Sequence, residues 1–160
     1  MARRLLIVHH SLTRSTRLLA DSLIAGANDE AIEKVEVHDR PPGAVTSDDI
    51  NRADGILILS PANFGYMAGL VKDLFDRTFL DIGGALSADG AGAPTTGSKP
   101  YALVIHGRYD TEGAVRSIES IARALPWSQA ARPLQVLGDV NEQHRETAYE
   151  LGATLAALLM

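Results

Sequence analysis

Short apolar runs along the chain alternate with stretches in which apolar residues return every three or four positions. Leu5–Val8, Ile56–Leu59 and Leu103–Ile105 are uninterrupted apolar runs, as expected of strands covered by helices on both faces. Val35–His38 is shorter and alternates, as an edge strand does, and Leu134–Leu137 supplies a fifth strand. Between them, helical spacing places Leu19, Leu23 and Ala27 on one face and Leu70, Leu74 and Thr78 on another, with Val71 and Phe75 beside them. Val115, Ile118, Ala122 and Leu125 predict a third helix, and Ala148, Leu151, Leu155 and Leu158 a last one. The link from Arg40 to Asp54 has room for only a degenerate helix after Pro41-Pro42.

This alternation predicts an α/β fold: a three-layer, doubly wound, five-stranded parallel sheet. Right-handed crossovers give the strand order 2-1-3-4-5, and a ligand belongs at the carboxyl edge, where the order reverses between strands one and three. There is no internal repeat and no domain boundary, so residues 1–160 are expected to form one domain. Gly83–Ser98 holds five glycines and four alanines. It reads as a mobile excursion before strand four, either a plain loop or a lid or oligomer contact near the ligand.

Composition narrows the function. The chain has no cysteine, which excludes disulfides, thiolate metal sites and a cysteine nucleophile. Its net charge of −5 is spread over both signs, so no basic footprint for nucleic acid exists. No apolar run approaches a membrane span, and the short run after Arg3-Arg4 ends in two histidines, which suits a strand better than a signal peptide. A cytoplasmic setting is the default expectation.

Strand one runs into Ser11-Leu12-Thr13-Arg14-Ser15-Thr16, where a helix begins. A helix N-terminus carries unpaired N–H groups and partial positive charge, and so attracts phosphate. The hydroxyls of Ser11, Thr13, Ser15 and Thr16 add donors, and Arg14 adds a cation. A single helix cap would need only one of the hydroxyls. Ser11, Thr13 and Thr16 resemble the S/T-x-T-x-x-T phosphate loop of flavodoxins, so the fold is expected to be flavodoxin-like with FMN as cofactor. Arg14 stands where that family usually has glycine, and is more like the NAD(P)H-dependent FMN reductases.

Strand three ends in Ser60-Pro61-Ala62-Asn63-Phe64-Gly65-Tyr66-Met67. This is similar to the isoalloxazine loop of the flavodoxin-like NAD(P)H:quinone oxidoreductases, including the tryptophan-repressor-binding-protein family. The following helix ends in Leu74-Phe75-Asp76-Arg77-Thr78, which extends the likeness. A flavin ring needs an aromatic platform, for which Phe64 and Tyr66 offer surfaces, and backbone donors at its polar edge. Pro61, Ala62, Asn63, Phe64 and Gly65 are therefore assigned to the ring, Gly65 for close backbone approach. The alternative packs Phe64 and Met67 into the core. In the loop after strand four, the resemblance implies that Gly107 and Tyr109 approach the pyrimidine end of the ring. His106 either bonds flavin or substrate, or is a satisfied strand-end histidine. A metal site of His9, His10 and His106 is disfavoured, because strand neighbours point to opposite faces.

A receiver domain would need acidic residues where His9-His10 stand. Neither a nucleophile elbow nor a P-loop is present. The resemblance implies an FMN oxidoreductase fed by NADPH or NADH and passing electrons to a quinone or other small-molecule acceptor, without a catalytic side chain. Members of the reductase group are often homodimers or homotetramers. The alternatives are an electron-transfer flavodoxin shuttling between partner proteins and a non-catalytic, degenerate relative.

Overall fold

The computed structural model describes residues 1–84 and 98–160. The Gly/Ala-rich excursion falls almost wholly on residues 85–97, outside the described residues. The elements are β1 (Arg3–His9), α1 (Arg14–Ala27), β2 (Val35–Arg40), α2 (Ser47–Arg52), β3 (Gly55–Asn63), β4 (Tyr66–Met67), α3 (Gly69–Thr78), β5 (Lys99–Gly107), α4 (Glu112–Arg123), β6 (Trp127–Gln129), β7 (Leu134–Leu137) and α5 (Glu142–Ala157).

The sheet runs β2-β1-β3-β5-β6, with β7 also beside β5. All these neighbours are parallel. This is the expected order, with one difference: the fifth strand is two pieces on one track. Trp127–Gln129 pairs with Lys99–Tyr101, and Leu134–Leu137 pairs with Val104–Gly107. Pro133 lies in the break, where its lack of an N–H is no loss to the ladder.

Consecutive residues of the buried strands go to opposite faces. Leu5, Ile7, Leu57 and Leu59 pack with Leu19, Leu23, Ala148 and Leu155 of α1 and α5. Leu6, Val8, Ile56 and Ile58 pack with Val71, Phe75, Ile118 and Ala122 of α3 and α4. That is why the runs show no polar alternation. The helices α1 and α5 approach closely at two glycines: a Cβ on Gly26 would lie 1.9 Å from the Tyr149 carbonyl oxygen, and one on Gly152 2.1 Å from that of Leu23.

One local expectation is corrected. Leu70 is 48% exposed, and the buried face of α3 is Val71, Leu74, Phe75 and Thr78, because the helix begins at Gly69 and leaves Leu70, in its first turn, facing solvent. The Arg40–Asp54 link holds the short helix expected there: a 3-10 turn at Pro42–Ala44 and then α2, which Thr46 and Asp49 cap reciprocally. Trp127 is buried in β6, 6.1 Å from Phe75 and 5.9 Å from Tyr101 between ring centroids. Among the described residues no helix is long and apolar enough to cross a membrane.

Candidate functional site

Parallel pairing brings three loops to one edge of the sheet. His9 is in register with Leu59, and Pro61 with His106, so the turns after β1, β3 and β5 leave side by side. These are the loops singled out in the sequence.

In the first loop Thr13 caps α1. Its hydroxyl accepts from the Thr16 N–H at 3.2 Å, and the Thr16 hydroxyl accepts from the Thr13 N–H at 3.1 Å. The two hydroxyl oxygens are 2.7 Å apart, and Thr16 is 1% exposed. Exposed Thr13 and buried Thr16 thereby brace the start of α1 against one another. Ser11 and Ser15 lie either side of exposed Arg14 in the sequence; Ser15 is buried, and the Ser11 hydroxyl is 2.7 Å from His9 Nδ1. Among the described residues, the N–H groups of Ser11, Leu12, Arg14 and Ser15 donate to no protein acceptor. Four free donors at a helix N-terminus suit a dianion. Arg14 makes no ion pair among the described residues. Partial burial lowers the pKa of neighbouring His10, which keeps it neutral at pH 7.

The second loop is a β-hairpin. Ala62 pairs with Met67 and Asn63 with Tyr66, leaving Phe64-Gly65 as a two-residue turn. Both turn residues have positive φ, +52° for Phe64 and +77° for Gly65, as a type I′ turn requires. Gly65 adopts this at no cost, whereas a bulky residue is strained there. Phe64 also projects fully into solvent, at 109% of its reference exposure. The core alternative is thereby excluded for Phe64, while Met67, at 2%, does pack inside. The hairpin base is pinned by buried Ser60, whose hydroxyl accepts from the Ala68 N–H at 3.0 Å and donates to the Pro61 carbonyl at 2.8 Å. Its tip leans on the start of α4: a Cβ on Gly113 would lie 2.0 Å from the Gly65 carbonyl oxygen.

In the third loop Tyr109 is 96% exposed. Gly107 is buried, and a Cβ there would lie 2.7 Å from the Asp110 carbonyl oxygen and 3.3 Å from the Ala62 Cβ. His106 is 6% exposed, with Nε2 2.6 Å from the Gly138 carbonyl oxygen. Its donor is committed to β7's exit, so the satisfied strand-end alternative describes its side chain. Carboxylates of Asp110, Glu112 and Asp139 surround this loop, the last paired with Arg108 at 3.0 Å.

Tyr66, 43% exposed, adds a second aromatic surface, as expected. Sequence reasoning missed one feature: His9 joins Ser11 to Asp39, a link that depends on the pairing of β1 with β2. Among the described residues no group of three His, Cys, Asp or Glu converges as a metal site.

No family model matches the chain. A flavodoxin of Aquifex aeolicus (strain VF5) is 28% identical over 83 residues, covering 52% of this chain and 44% of that relative, less than half its length. Among solved structures, a flavodoxin from the domain Archaea superposes with a TM-score of 0.77 at 17% identity, covering 98% of both chains. Oxidised flavodoxin 1 of Bacillus cereus gives 0.77 at 14%, covering 98% of this chain and 99% of that one. The rubredoxin oxygen:oxidoreductase of Desulfovibrio gigas gives 0.76 at 16%, covering 98% of this chain but 36% of that one. With the strand order observed above, these likenesses establish that the chain has the flavodoxin-like fold.

Proposed function

We propose that this chain, as one domain over residues 1–160, binds FMN across the three loops and carries electrons through it. The observation that carries the reading is Phe64: an aromatic ring held in solvent on a left-handed backbone. Strain of that kind persists where a function needs it. Bound FMN would supply one- and two-electron redox chemistry at its ring.

The residues present fit that group. The free N–H groups of Ser11, Leu12, Arg14 and Ser15, the hydroxyls of Ser11 and Ser15, and the Arg14 guanidinium would hold the phosphate. Thr13 and Thr16 would keep the loop closed around it through their reciprocal cap. Phe64 and Tyr109 would cover the ring, with Pro61, Ala62, Asn63, Gly65 and Gly107 bringing backbone to its polar edge. His106 would act through Gly138, by fixing the end of β5.

Two sources of electrons fit this site. The loop Ser60–Met67 and Arg14 favour an NADPH- or NADH-dependent reductase acting on a quinone or other small acceptor. The partial likeness to a flavodoxin favours a carrier between partner proteins. Anaerobic spectra separate them. Protein loaded with FMN and freed of excess should keep its visible flavin absorbance. Rapid bleaching by NADPH or NADH supports the reductase, and resistance to both supports the carrier. Loss of all flavin on desalting defeats the FMN reading.

A further inference from the structure

The end of β1 carries a relay of three side chains. His9 Nδ1 is 2.7 Å from the Ser11 hydroxyl, and His9 Nε2 is 3.0 Å from Asp39 Oδ2 on β2. The β1–β2 register creates it, by placing Asp39 opposite Ile7, on the same face of the sheet as His9. The His9 side chain is 16% exposed and that of Asp39 46%.

A neutral imidazole has one N–H and one acceptor nitrogen. An ionised carboxylate only accepts, so the His9 Nε2–H donates to Asp39. Nδ1 must then accept, and the one proton of Ser11 is committed to His9. In that state Ser11 turns only lone pairs toward the cradle, which repels an anion. When His9 is protonated, Nδ1 donates to Ser11, and the serine proton is released to the ligand. We propose that His9, oriented by Asp39, is a positioning residue that couples phosphate binding at Ser11 to uptake of a proton. Ser11 donates to the dianionic phosphate of FMN only as His9 becomes charged. This rests on the phosphate cradle proposed above.

The charges around His9 oppose one another. Asp39 on β2 and an incoming dianion favour the imidazolium, and Asp21 lies further along α1. Arg14 and Arg17 in the first turn of α1 disfavour it. On β3, Leu59 is apolar. His38 and Arg40 alternate to the opposite face of β2, where they approach Glu36 and Asp49. Neutral His10 adds no charge.

The test follows the His9 ring resonance by NMR through pH, in ligand-free protein and with FMN, riboflavin or inorganic phosphate. Calorimetry in two buffers of different ionisation enthalpy counts protons. The useful range lies above about pH 6.5, where the phosphate is mostly dianionic. FMN should move the His9 midpoint upward by about one pH unit, which by linkage is about tenfold tighter FMN binding to the protonated form. Riboflavin, which lacks the phosphate, should leave the midpoint in place and take up no proton. In Ser11→Ala the shift should vanish; a shift that persists is plain through-space attraction and overturns the relay. FMN binding without proton uptake overturns the relay but leaves the FMN reading intact. If neither flavin binds, the FMN reading fails, and inorganic phosphate decides the relay. An upward shift of His9 supports it, and an unmoved midpoint removes it.

Discussion

Replacing Phe64 with asparagine should make the ligand-free protein more stable and the FMN complex weaker. Phe64 and Gly65 form a type I′ turn with φ of +52° and +77°, for which Asn-Gly is the preferred pair. An ordinary L-residue in the left-handed region costs about 1–2 kcal/mol, and asparagine escapes much of it through local hydrogen bonding. Nothing offsets that gain in the ligand-free chain, because Phe64 is fully exposed and buries no apolar surface. The net stabilisation is about 1 kcal/mol, or a rise in Tm of about 2–4 °C for a domain of this size. In the complex the same change removes an aromatic face worth about 1–3 kcal/mol if it stacks on the ring, a loss of about 5- to 150-fold in FMN affinity. Calorimetric melting of the ligand-free protein and an FMN titration read the two effects. Phe64→Ala separates the causes, since it loses the ring but keeps most of the backbone strain: FMN binding should fall while Tm stays near that of the parent. A ligand-free Asn variant that melts at or below the parent would refute the strain assignment. Unchanged FMN affinity would refute the platform assignment.

Three further outcomes are expected. Gly113→Ala drives a methyl against the Gly65 carbonyl oxygen, so the hairpin must shift, and FMN affinity should fall by at least about tenfold in a titration. Gly152→Ala forces α5 away from the Leu23 carbonyl oxygen and should cost about 1–3 kcal/mol in denaturant unfolding, with little effect on FMN affinity per folded molecule. Burial raises the Tyr101 pKa from 10.0 to about 12, so the folded state favours the neutral phenol. That contribution is complete below about pH 10, the unfolded value, and is lost as pH rises toward the folded one. Chemical denaturation between these limits should show a decline that Tyr101→Phe reduces.

Sequence pattern alone determined the layers and the edge at which the site lies. Uninterrupted runs such as Leu5–Val8 and Ile56–Leu59 require cover on both faces, and that cover, with right-handed crossovers, leaves little choice of strand order. The proposed phosphate loop was legible for a similar reason: hydroxyls clustered at a strand-to-helix junction are a local signal. Tertiary structure decided how they bond to one another. Thr13 and Thr16 lie three positions apart, and only the helical turn at Arg14 folds them onto one another. It also decided that Leu70 faces solvent and that the fifth strand breaks at Ala130–Pro133, because the helix start and the pairing with β5 set both. The hairpin at Asn63–Tyr66 could not be read from its residues, since a phenylalanine at positive φ runs against local preference. The link from Asp39 to His9 and Ser11 spans 30 positions and exists only through the β1–β2 register. Periodicity reports which residues leave water, a property each segment carries by itself. Hydrogen bonds between loops depend on how distant segments align, and only the assembled sheet supplies that.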